Sequence, residues 1–579
     1  MLKKKIFGRK KIEKSGFVKD LKIAYRSLED PGAFIKKTLL PSIILGAILI
    51  SFPFSLADLI PIEISPYSFP TVGLILIILA VLYPYISWKN KEMEINGKMH
   101  FFITHLRVLA ISDLSLRDII NTIGEKKEVY KSLGDEIKKI SILSTQWKVP
   151  LARAFKFVSD RTPSKILKDF LDRFSQSLIS GVSHREFIEQ EQGAVMEEYK
   201  TMYESANENL TILNEVYVSL LISIVFVMSF GLVMPMITGM KDMNTFVYGS
   251  SLALIITEGL LLYLLRSMIP ADEIWPQTGE RSETEKRLYR LFFASLIACT
   301  FIGVAIFFVK VSTHLLDPLP LEILVSISLT PLALPGIRTF LEEQDIARRE
   351  RNFLGFLPAL GSISAMRGGK INESVGYLSE KDYGILTPHI RNLYKRLCTR
   401  IDDDSAWEWF GVDTCSNYIQ RGSEMFREAT YAAANPRDVA RMITENVRKM
   451  RDLRLKKHAI IKSTISLFLG ITFGIALSIY VSLVIAQRLN QIWLEAGQPF
   501  ENIQQINIGA ILTTVPPQVY SNIFLVVFLV LIVHSFLLSL TIKELRGSHF
   551  LITFLYFVPM VWICSITSFV VQTFLGGYI

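Results

Sequence analysis

One uninterrupted helical segment, polar at its start and apolar at its end, constrains this chain more than any other feature. Ser183 and Glu186 have the spacing of a capping box, and no proline follows them before Pro235. The first two-thirds of the segment is polar and charged, and the part from Val216 onward is almost wholly apolar. A helix of this length spans roughly 80 Å, well beyond one bilayer. We therefore predict a helix that begins in water and ends in lipid.

The chain contains this element twice. Asn435 followed by Pro436 is a second helix start, because a capping side chain precedes a proline at the first helical position. A basic run follows, and then an apolar span over 463–486. Ser183 and Asn435 are 252 positions apart, and the same offset relates Phe101 to Phe353, Ile111-Ser112 to Ile363-Ser364 and Val216 to Phe468. This spacing predicts an internal duplication.

The apolar runs predict a polytopic membrane protein. Half of the residues are apolar, and nine runs reach spanning length: 38–58, 69–87, 216–236, 246–269, 290–310, 320–337, 463–486, 519–541 and 550–572. Lysine and arginine concentrate in alternate loops, which places the N-terminus in the cytoplasm and the C-terminus outside. Four spans precede the second copy, so both copies have the same orientation, related by an axis along the membrane normal.

The predicted fold class is all-α, with about nine transmembrane helices and two duplicated helical cytoplasmic domains. Start signals at Asp113, Thr162-Pro163 and Asp413, together with apolar spacing of three and four, indicate a helical bundle in each domain. The predicted organisation is a basic cytoplasmic segment (1–37), spans 1 and 2 (38–87), domain 1 (88–215), spans 3 to 6 (216–337), domain 2 (338–462) and spans 7 to 9 (463–579). Each domain is long enough to bury a small core of its own.

The motifs of common catalytic sites are missing. The sequence contains no phosphate-binding loop, no His-Glu-x-x-His, no Cys-x-x-Cys and no Gly-x-Ser-x-Gly. Four cysteines show no paired spacing, and eight histidines are scattered. We therefore predict no catalytic residue, no cofactor, no metal site and no enzymatic activity. The net charge of +9 is attributed to loops facing anionic lipid, without nucleic-acid binding.

Three intramembrane or juxtamembrane features remain open to two interpretations each. Glu258 and His534 lie deep in spans 4 and 8, and we expect them to approach each other. They form either a polar lock, which is a polar contact that holds packed helices together, or part of an ion path. Gly470-x-x-x-Gly474 favours close helix packing within the chain, or the seam of a homodimer. The basic run 448–457 is either a lipid-facing or solvated surface, or a docking strip for an acidic partner.

The chain resembles the inner-membrane platform proteins of type IV pilus and type II secretion machines, and most of all the platform of the archaeal archaellum. The resemblance is most specific over 170–188, which leads into the long helix, and over the Tyr-Glu-Ser-Ala-Asn-Glu-Asn-Leu run at 203–210. It implies no catalysis in this chain. It implies that a separate hexameric cytoplasmic motor ATPase docks on the cytoplasmic domains, and that the platform passes work to archaellin or pilin subunits.

Exposed basic side chains near helix ends are the candidate contacts for that ATPase: Arg117, Lys126, Lys127, Arg367, Lys370, Arg448, Lys449, Arg451, Arg454, Lys456 and Lys457. Two alternatives to the archaellum remain. One is the platform of an adhesive pilus or related secretion system, which belongs to the same family. The other is a polytopic transporter, which the scarcity of intramembrane polar residues disfavours.

Overall fold

Every regular element in the described part of the chain is helical. The computed structural model describes residues 25, 31–55, 68–238, 243–270, 272–276, 281–313, 319–399, 402–497 and 517–578. The chain divides into two compact units at Glu92, one ending there and the other running from Met93 to Ile579.

The first unit contains helix α1 (Leu40–Ser55) and the beginning of α2 (Ser68–Ala110). The two helices approach closely at Gly46, where an added Cβ would lie 2.8 Å from the Gly73 carbonyl oxygen. Small residues allow such backbone contact. The predicted spans 38–58 and 69–87 fall on these helices, and residues 56–58 of the first lie outside the described residues.

The second unit consists of helices that differ widely in length. In chain order they are α3 (Leu116–Glu125), α4 (Ser132–Thr145), α5 (Leu151–Ser159), α6 (Lys165–Ile179), α7 (His184–Thr238), α8 (Met243–Met268), α9 (Glu283–Thr313), α10 (Leu321–Leu329), α11 (Ala333–Met366), α12 (Ile371–Ser379), α13 (Thr387–Thr399), α14 (Asp403–Thr414), α15 (Asn417–Tyr431), α16 (Pro436–Gly497), α17 (Pro517–Arg546) and α18 (Thr553–Tyr578). Short helical turns at 127–130, 330–332, 384–386 and 550–552 connect some of them.

Seven helical segments among the described residues are long and apolar enough to cross a membrane, and they include the third to the ninth predicted spans. The chain is therefore an all-α polytopic membrane protein, as predicted. The sixth span consists of α10, a 3-10 turn at 330–332 and the beginning of α11. The interruption has a local cause, because Pro331 lies in this turn and has no N–H to donate.

The two predicted long helices are α7, with 55 residues, and α16, with 62 residues. The Asn435 side chain caps α16 by accepting a hydrogen bond of 3.0 Å from the Arg437 N–H. The two helices pack side by side through residues at or within three positions of the duplication offset: Glu204 with Lys456, Asn214 with Thr464, Tyr217 with Phe468 and Ser229 with Ser478. Since these partners are 249 to 252 positions apart, the pseudo-two-fold axis passes between α7 and α16.

Domains 1 and 2 share one hydrophobic core, which differs from the separate cores expected from the sequence. Residues from both domains belong to a single contiguous cluster, and the Phe101 and Tyr418 rings meet across it with centroids 5.7 Å apart. A bundle of about a hundred residues buries a smaller fraction of its surface than a larger one. Joining the two domains therefore removes more apolar surface from water than two isolated bundles would.

Two helix starts lie slightly later than predicted. The structure begins α3 after Ser115 and α15 after Ser416, two or three residues beyond the aspartates that suggested them. In both cases the serine hydroxyl accepts the N–H of the third residue after it. The third start is also later than its Thr162-Pro163 signal, since Ser164 caps α6 by accepting a hydrogen bond of 3.1 Å from the Leu167 N–H.

Candidate functional site: an ion-paired junction

The segment between α8 and α9 lies where α2, α11, α15 and α16 come together. Its described part, 272–276, carries two consecutive acids. Seven charged residues meet around it, and we call them the junction: Lys98, Lys131, Asp272, Glu273, Glu350, Arg454 and Lys457.

The centre of the junction is the Arg454 guanidinium, held between two carboxylates. Its Nη2 and Nε donate to the two oxygens of Asp272 at 3.0 Å each, which is the bidentate fork of a strong pair. Its Nη1 donates to Glu350 at 3.0 Å, and the Ser416 hydroxyl donates to the same carboxylate at 2.8 Å. Arg454, Asp272 and Glu350 are all buried. Their charges therefore depend on one another for solvation.

Two tyrosines complete the surroundings of Asp272. The hydroxyls of Tyr203 and Tyr418 donate to its oxygens at 3.3 and 3.2 Å, and the guanidinium lies 4.1 Å from the centre of the Tyr418 ring. Burial alone would raise the pKa of Asp272, but the attraction of Arg454 and Lys457 and the hydrogen bond from Arg454 lower that pKa below its ordinary value. The carboxylate is thus ionised at neutral pH.

The second acid of the segment is held by domain 1. The Lys98 ammonium lies 2.6 Å and the Lys131 ammonium 3.0 Å from the two oxygens of Glu273. Burial raises the pKa of Glu273, and the two lysines outweigh this effect and lower it. Burial also lowers the pKa of Lys98, against the attraction of Glu273. Adjacent residues of one segment therefore connect α2 of the first repeat with α16 of the second.

The backbone of the segment is fixed as well. The Ile274 N–H donates to the Gly547 carbonyl at 3.3 Å, and the Ile274 carbonyl accepts from the Asn417 N–H at 2.9 Å. Gly547 has a φ of +65°, and an added Cβ would overlap the Asp272 carbonyl oxygen. Only glycine suits this position, for both reasons.

A second ion cluster joins the two domains farther from the spans. The Lys126 ammonium pairs with both Glu424 and Glu428 of α15. His105 bridges the Glu428 carboxylate at 2.9 Å and the Tyr130 hydroxyl at 2.8 Å. Burial opposes ionisation of Glu428, but His105 and Lys126 lower its pKa to about 2. Domain 1 and domain 2 are thus connected by ion pairs as well as by their common core.

These contacts connect the two domains to one short segment. Among the residues that the structure describes, no group of three or more His, Cys, Asp or Glu side chains is arranged to hold a metal ion. Buried ion pairs with several hydrogen bonds have few alternative geometries, so the groups that share them move together. The ion pairs therefore connect both domains to the segment that joins spans 4 and 5.

The candidate basic residues divide into a buried and an exposed group. Arg454 and Lys457 are buried in the junction, and Lys126 is largely buried between domains, so the surface role expected for these three is wrong. The others remain wholly or partly accessible: Arg117, Lys127, Arg367, Lys370, Arg448, Lys449, Arg451 and Lys456. Lys127, Lys370 and Lys456 have local partners in Asp135, Glu373 and Glu204.

The sequence did contain a signal for the buried pair. Arg454 and Lys457 continue an apolar stripe of α16 at alternating steps of four and three: Ile443, Val447, Met450, Arg454, Lys457 and Ile461. Residues at this spacing lie on one face of a helix, and that face is the buried one. The acids Asp272, Glu273 and Glu350, and Lys98, were not identified from the sequence, because no local pattern brings them together.

The structure brings together the two intramembrane ionisable residues. His534 Nδ1 hydrogen-bonds to Glu258, and His534 Nε2 lies 3.4 Å from the Thr472 hydroxyl. Glu258 is on α8, His534 on α17 and Thr472 on α16, and all three are buried. The second oxygen of Glu258 has no hydrogen-bond partner among the described residues. The cluster links three helices inside the membrane.

The glycines of the Gly470-x-x-x-Gly474 motif do not pack against another helix of the described chain. Nothing lies within 4 Å of a Cβ added at either position. The intramolecular packing expected for the motif is therefore absent among the described residues, where both glycines are exposed.

Comparisons with known proteins agree with this architecture. A family model described as type II secretion system protein F matches residues 102–231. The chain is 32% identical over 551 residues to the flagella accessory protein J of Methanocaldococcus jannaschii, which covers 94% of this chain and 95% of the relative. It is 31% identical over 546 residues to the flagella accessory protein J of Methanococcus voltae, and the match covers 94% of this chain and 96% of the relative. No solved structure matches the chain significantly.

Proposed function

The chain belongs to the flagella accessory protein J family of archaellum membrane platforms, and we propose that it couples a cytoplasmic motor ATPase to the assembly or rotation of a type IV pilus-like filament. In this proposal domains 1 (88–215) and 2 (338–462) face the cytoplasm, the N-terminus is cytoplasmic and the C-terminus is outside. The alternation of basic loops supports this orientation.

The observation that carries the proposal is the continuity of α7 and α16 from the domains into the spans. From His184 to the apolar part that begins near Val216, α7 extends roughly 48 Å at 1.5 Å per residue. The junction joins α16 to the segment between spans 4 and 5. Packed helices shift as units, so a motor that displaces the far end of the domains would displace the spans.

The far end of the domains is identified by contacts near the starts of the long helices, and we call it the distal end. Arg185 Nε donates to the Ala110 carbonyl at 3.1 Å, and the Asp113 N–H donates to the Ala432 carbonyl at 3.2 Å. The C-terminus of α6 also lies here, since it connects directly to α7.

Three apolar side chains near the distal end are exposed to solvent: Trp147 by 73%, Ile179 by 75% and Met366 by 71%. The Ser175 hydroxyl donates to the Ala152 carbonyl at 2.7 Å, which brings the chain around Trp147 and Ile179 to the same edge. They belong to domains 1 and 2 and lie outside the predicted spans. We propose that they form the motor docking surface together with the exposed cations Arg117 and Arg367.

The first experiment is deletion of the gene, followed by electron microscopy of the cells and a swimming assay. Loss of filaments and swimming together is expected for an archaellum platform. Loss of thin attachment pili with swimming intact would assign the chain to an adhesive pilus. Unchanged surface filaments would refute the platform function and favour a transporter.

Coupling to the motor is tested separately by purifying the platform with the ATPase. The variant Trp147→Asp/Ile179→Asp should lose the ATPase while keeping its elution profile in size-exclusion chromatography. Leu455→Asp is the matched control, because Leu455 is an exposed apolar residue of α16 away from the distal end. Retention of the ATPase by the double variant would exclude this docking surface.

A further inference from the structure

An open groove runs between α7 and α16 where the two helices enter the predicted membrane. Its volume is about 340 Å³, and Asn214 and Glu215 of α7 and Ser463 and Leu467 of α16 line it. The apolar part of α7 begins directly after Glu215. The groove therefore lies at the level of the membrane surface, on the side of the two domains.

The groove continues into the membrane along the open glycine face. Gly470 and Gly474 follow Ser463 by seven and eleven positions, which places all three on one side of α16. At 1.5 Å per residue the glycines lie about 10 and 17 Å below Ser463. An added Cβ at either glycine would meet nothing within 4 Å. A stripe without side chains allows the backbone of another helix to approach closely.

Two acceptor groups in the groove have no donor among the described residues. The Asn214 amide donates to the Thr464 hydroxyl at 2.9 Å, but its Oδ1 accepts no hydrogen bond within the described chain, although the residue is only 7% exposed. Buried acceptors of this kind are costly to leave unpaired. The Glu215 carboxylate beside it is exposed, and no described residue forms an ion pair with it. Both groups can accept hydrogen bonds, and a cationic donor would also form an ion pair with Glu215.

We propose that this groove binds a single transmembrane helix of a separate subunit, whose end on the domain side carries a lysine or arginine. The glycine face would receive the apolar part of that helix, and Glu215 and the Asn214 Oδ1 would receive its cationic end. A second copy of this chain fits poorly, because two concave surfaces facing each other leave a void and bring two Glu215 carboxylates together. That the occupant is a filament subunit rests on the proposed function.

The test is photo-crosslinking from the groove in membranes of cells that carry the complete filament system. Leu467→Cys, labelled with a benzophenone maleimide, places the probe in the groove. The background is Cys398→Ser, because Cys398 is the exposed native cysteine among those described. Phe301→Cys, a position of α9 that is 73% exposed, is the matched lipid-facing control. Crosslinked products are identified by mass spectrometry.

We expect a product from position 467, and none from position 301, that contains a small protein with one apolar span and a basic residue at its domain-side end. Gly470→Leu/Gly474→Leu should abolish the product, since the leucines fill the groove, and should leave the elution profile unchanged, since they meet no neighbour. Glu215→Gln should reduce it. A product with a second copy of this chain, a product with the chain's own first two spans, or lipid products alone would each overturn the proposal.

The two proposals fail in distinguishable ways. If deletion of the gene abolishes filaments but position 467 gives no subunit product, the platform function holds and the groove proposal falls. If the product forms but deletion leaves all filaments intact, the groove binds a helix and the platform function falls.

Discussion

Replacing Arg454 by methionine tests whether the junction is a connection that the fold depends on. Methionine keeps much of the side-chain volume and removes the charge, which leaves Asp272 and Glu350 buried without their common partner. Removing one member of a buried ion pair costs about 3–5 kcal/mol, since the remaining charge is neither solvated nor paired. The cost should lie at the upper end, because two carboxylates lose their partner here.

Thermal inactivation in detergent measures the effect. Aliquots heated at a fixed rate are separated by size exclusion, and the remaining monodisperse fraction gives an apparent midpoint. At about 2 °C per kcal/mol, Arg454→Met should lower the midpoint by about 8–10 °C. Lys456→Met is the matched control, because its pair with Glu204 is exposed at 3.0 Å and such pairs contribute at most about 1 kcal/mol.

The reasoning also predicts partial rescue. The triple variant Arg454→Met/Asp272→Asn/Glu350→Gln removes the stranded charges, so its midpoint should lie above that of Arg454→Met alone. A midpoint for Arg454→Met within 2 °C of the control, or a triple variant less stable than the single one, would refute the ion-paired junction as we describe it.

Three further predictions follow from single sites. Burial lowers the pKa of His100 to about 3, whereas a histidine in the unfolded chain binds a proton below about pH 6.5. The free energy of unfolding should therefore fall by about 2 kcal/mol from pH 6.5 to pH 5. His100→Gln should remove this contribution, which is measured by comparing the midpoints of both proteins at the two pH values. Gly547→Ala should lower the midpoint more than Gly181→Ala, because both glycines have positive φ but only Gly547 would overlap a neighbour; equal effects would contradict the crowding at Asp272. If Glu258 and His534 only hold the packed helices together, cells with Glu258→Gln should still swim, and the protein should lose about 1 kcal/mol of stability. Loss of swimming at unchanged stability would indicate an ion path.

The features that could be predicted from the sequence are those with a local or periodic signal. The polar-to-apolar change along α7 and the Asn435-Pro436 start of α16 each lie within a few turns of one helix. The duplication offset was visible because it preserves the order of apolar and polar segments. The offset also predicts that residues 252 positions apart, such as Glu204 and Lys456, lie on equivalent helices.

The junction could not be predicted in the same way. Lys98, Asp272 and Arg454 are separated by more than 170 positions each, and no motif marks them. A basic run on a helix usually faces solvent, and this expectation misplaced Arg454 and Lys457. The heptad spacing would have corrected it, since an arginine that occupies an apolar stripe must be paired when the stripe is buried.

The junction also shows where a duplicated chain must break its symmetry. The segment between spans 4 and 5 occurs once, so the two repeats cannot hold it in the same way. Position 98 of the first repeat corresponds to position 350 of the second, and these positions carry opposite charges, Lys98 and Glu350. Lys98 binds Glu273 directly, whereas Glu350 binds the Arg454 that in turn holds Asp272. The corresponding residue of α7 is Met202, which has no charge to offer. The two adjacent acids are thereby divided between the repeats: Lys98 of the first repeat binds Glu273, and Arg454 of the second binds Asp272. Both repeats therefore hold the segment that joins the spans of the first repeat to those of the second.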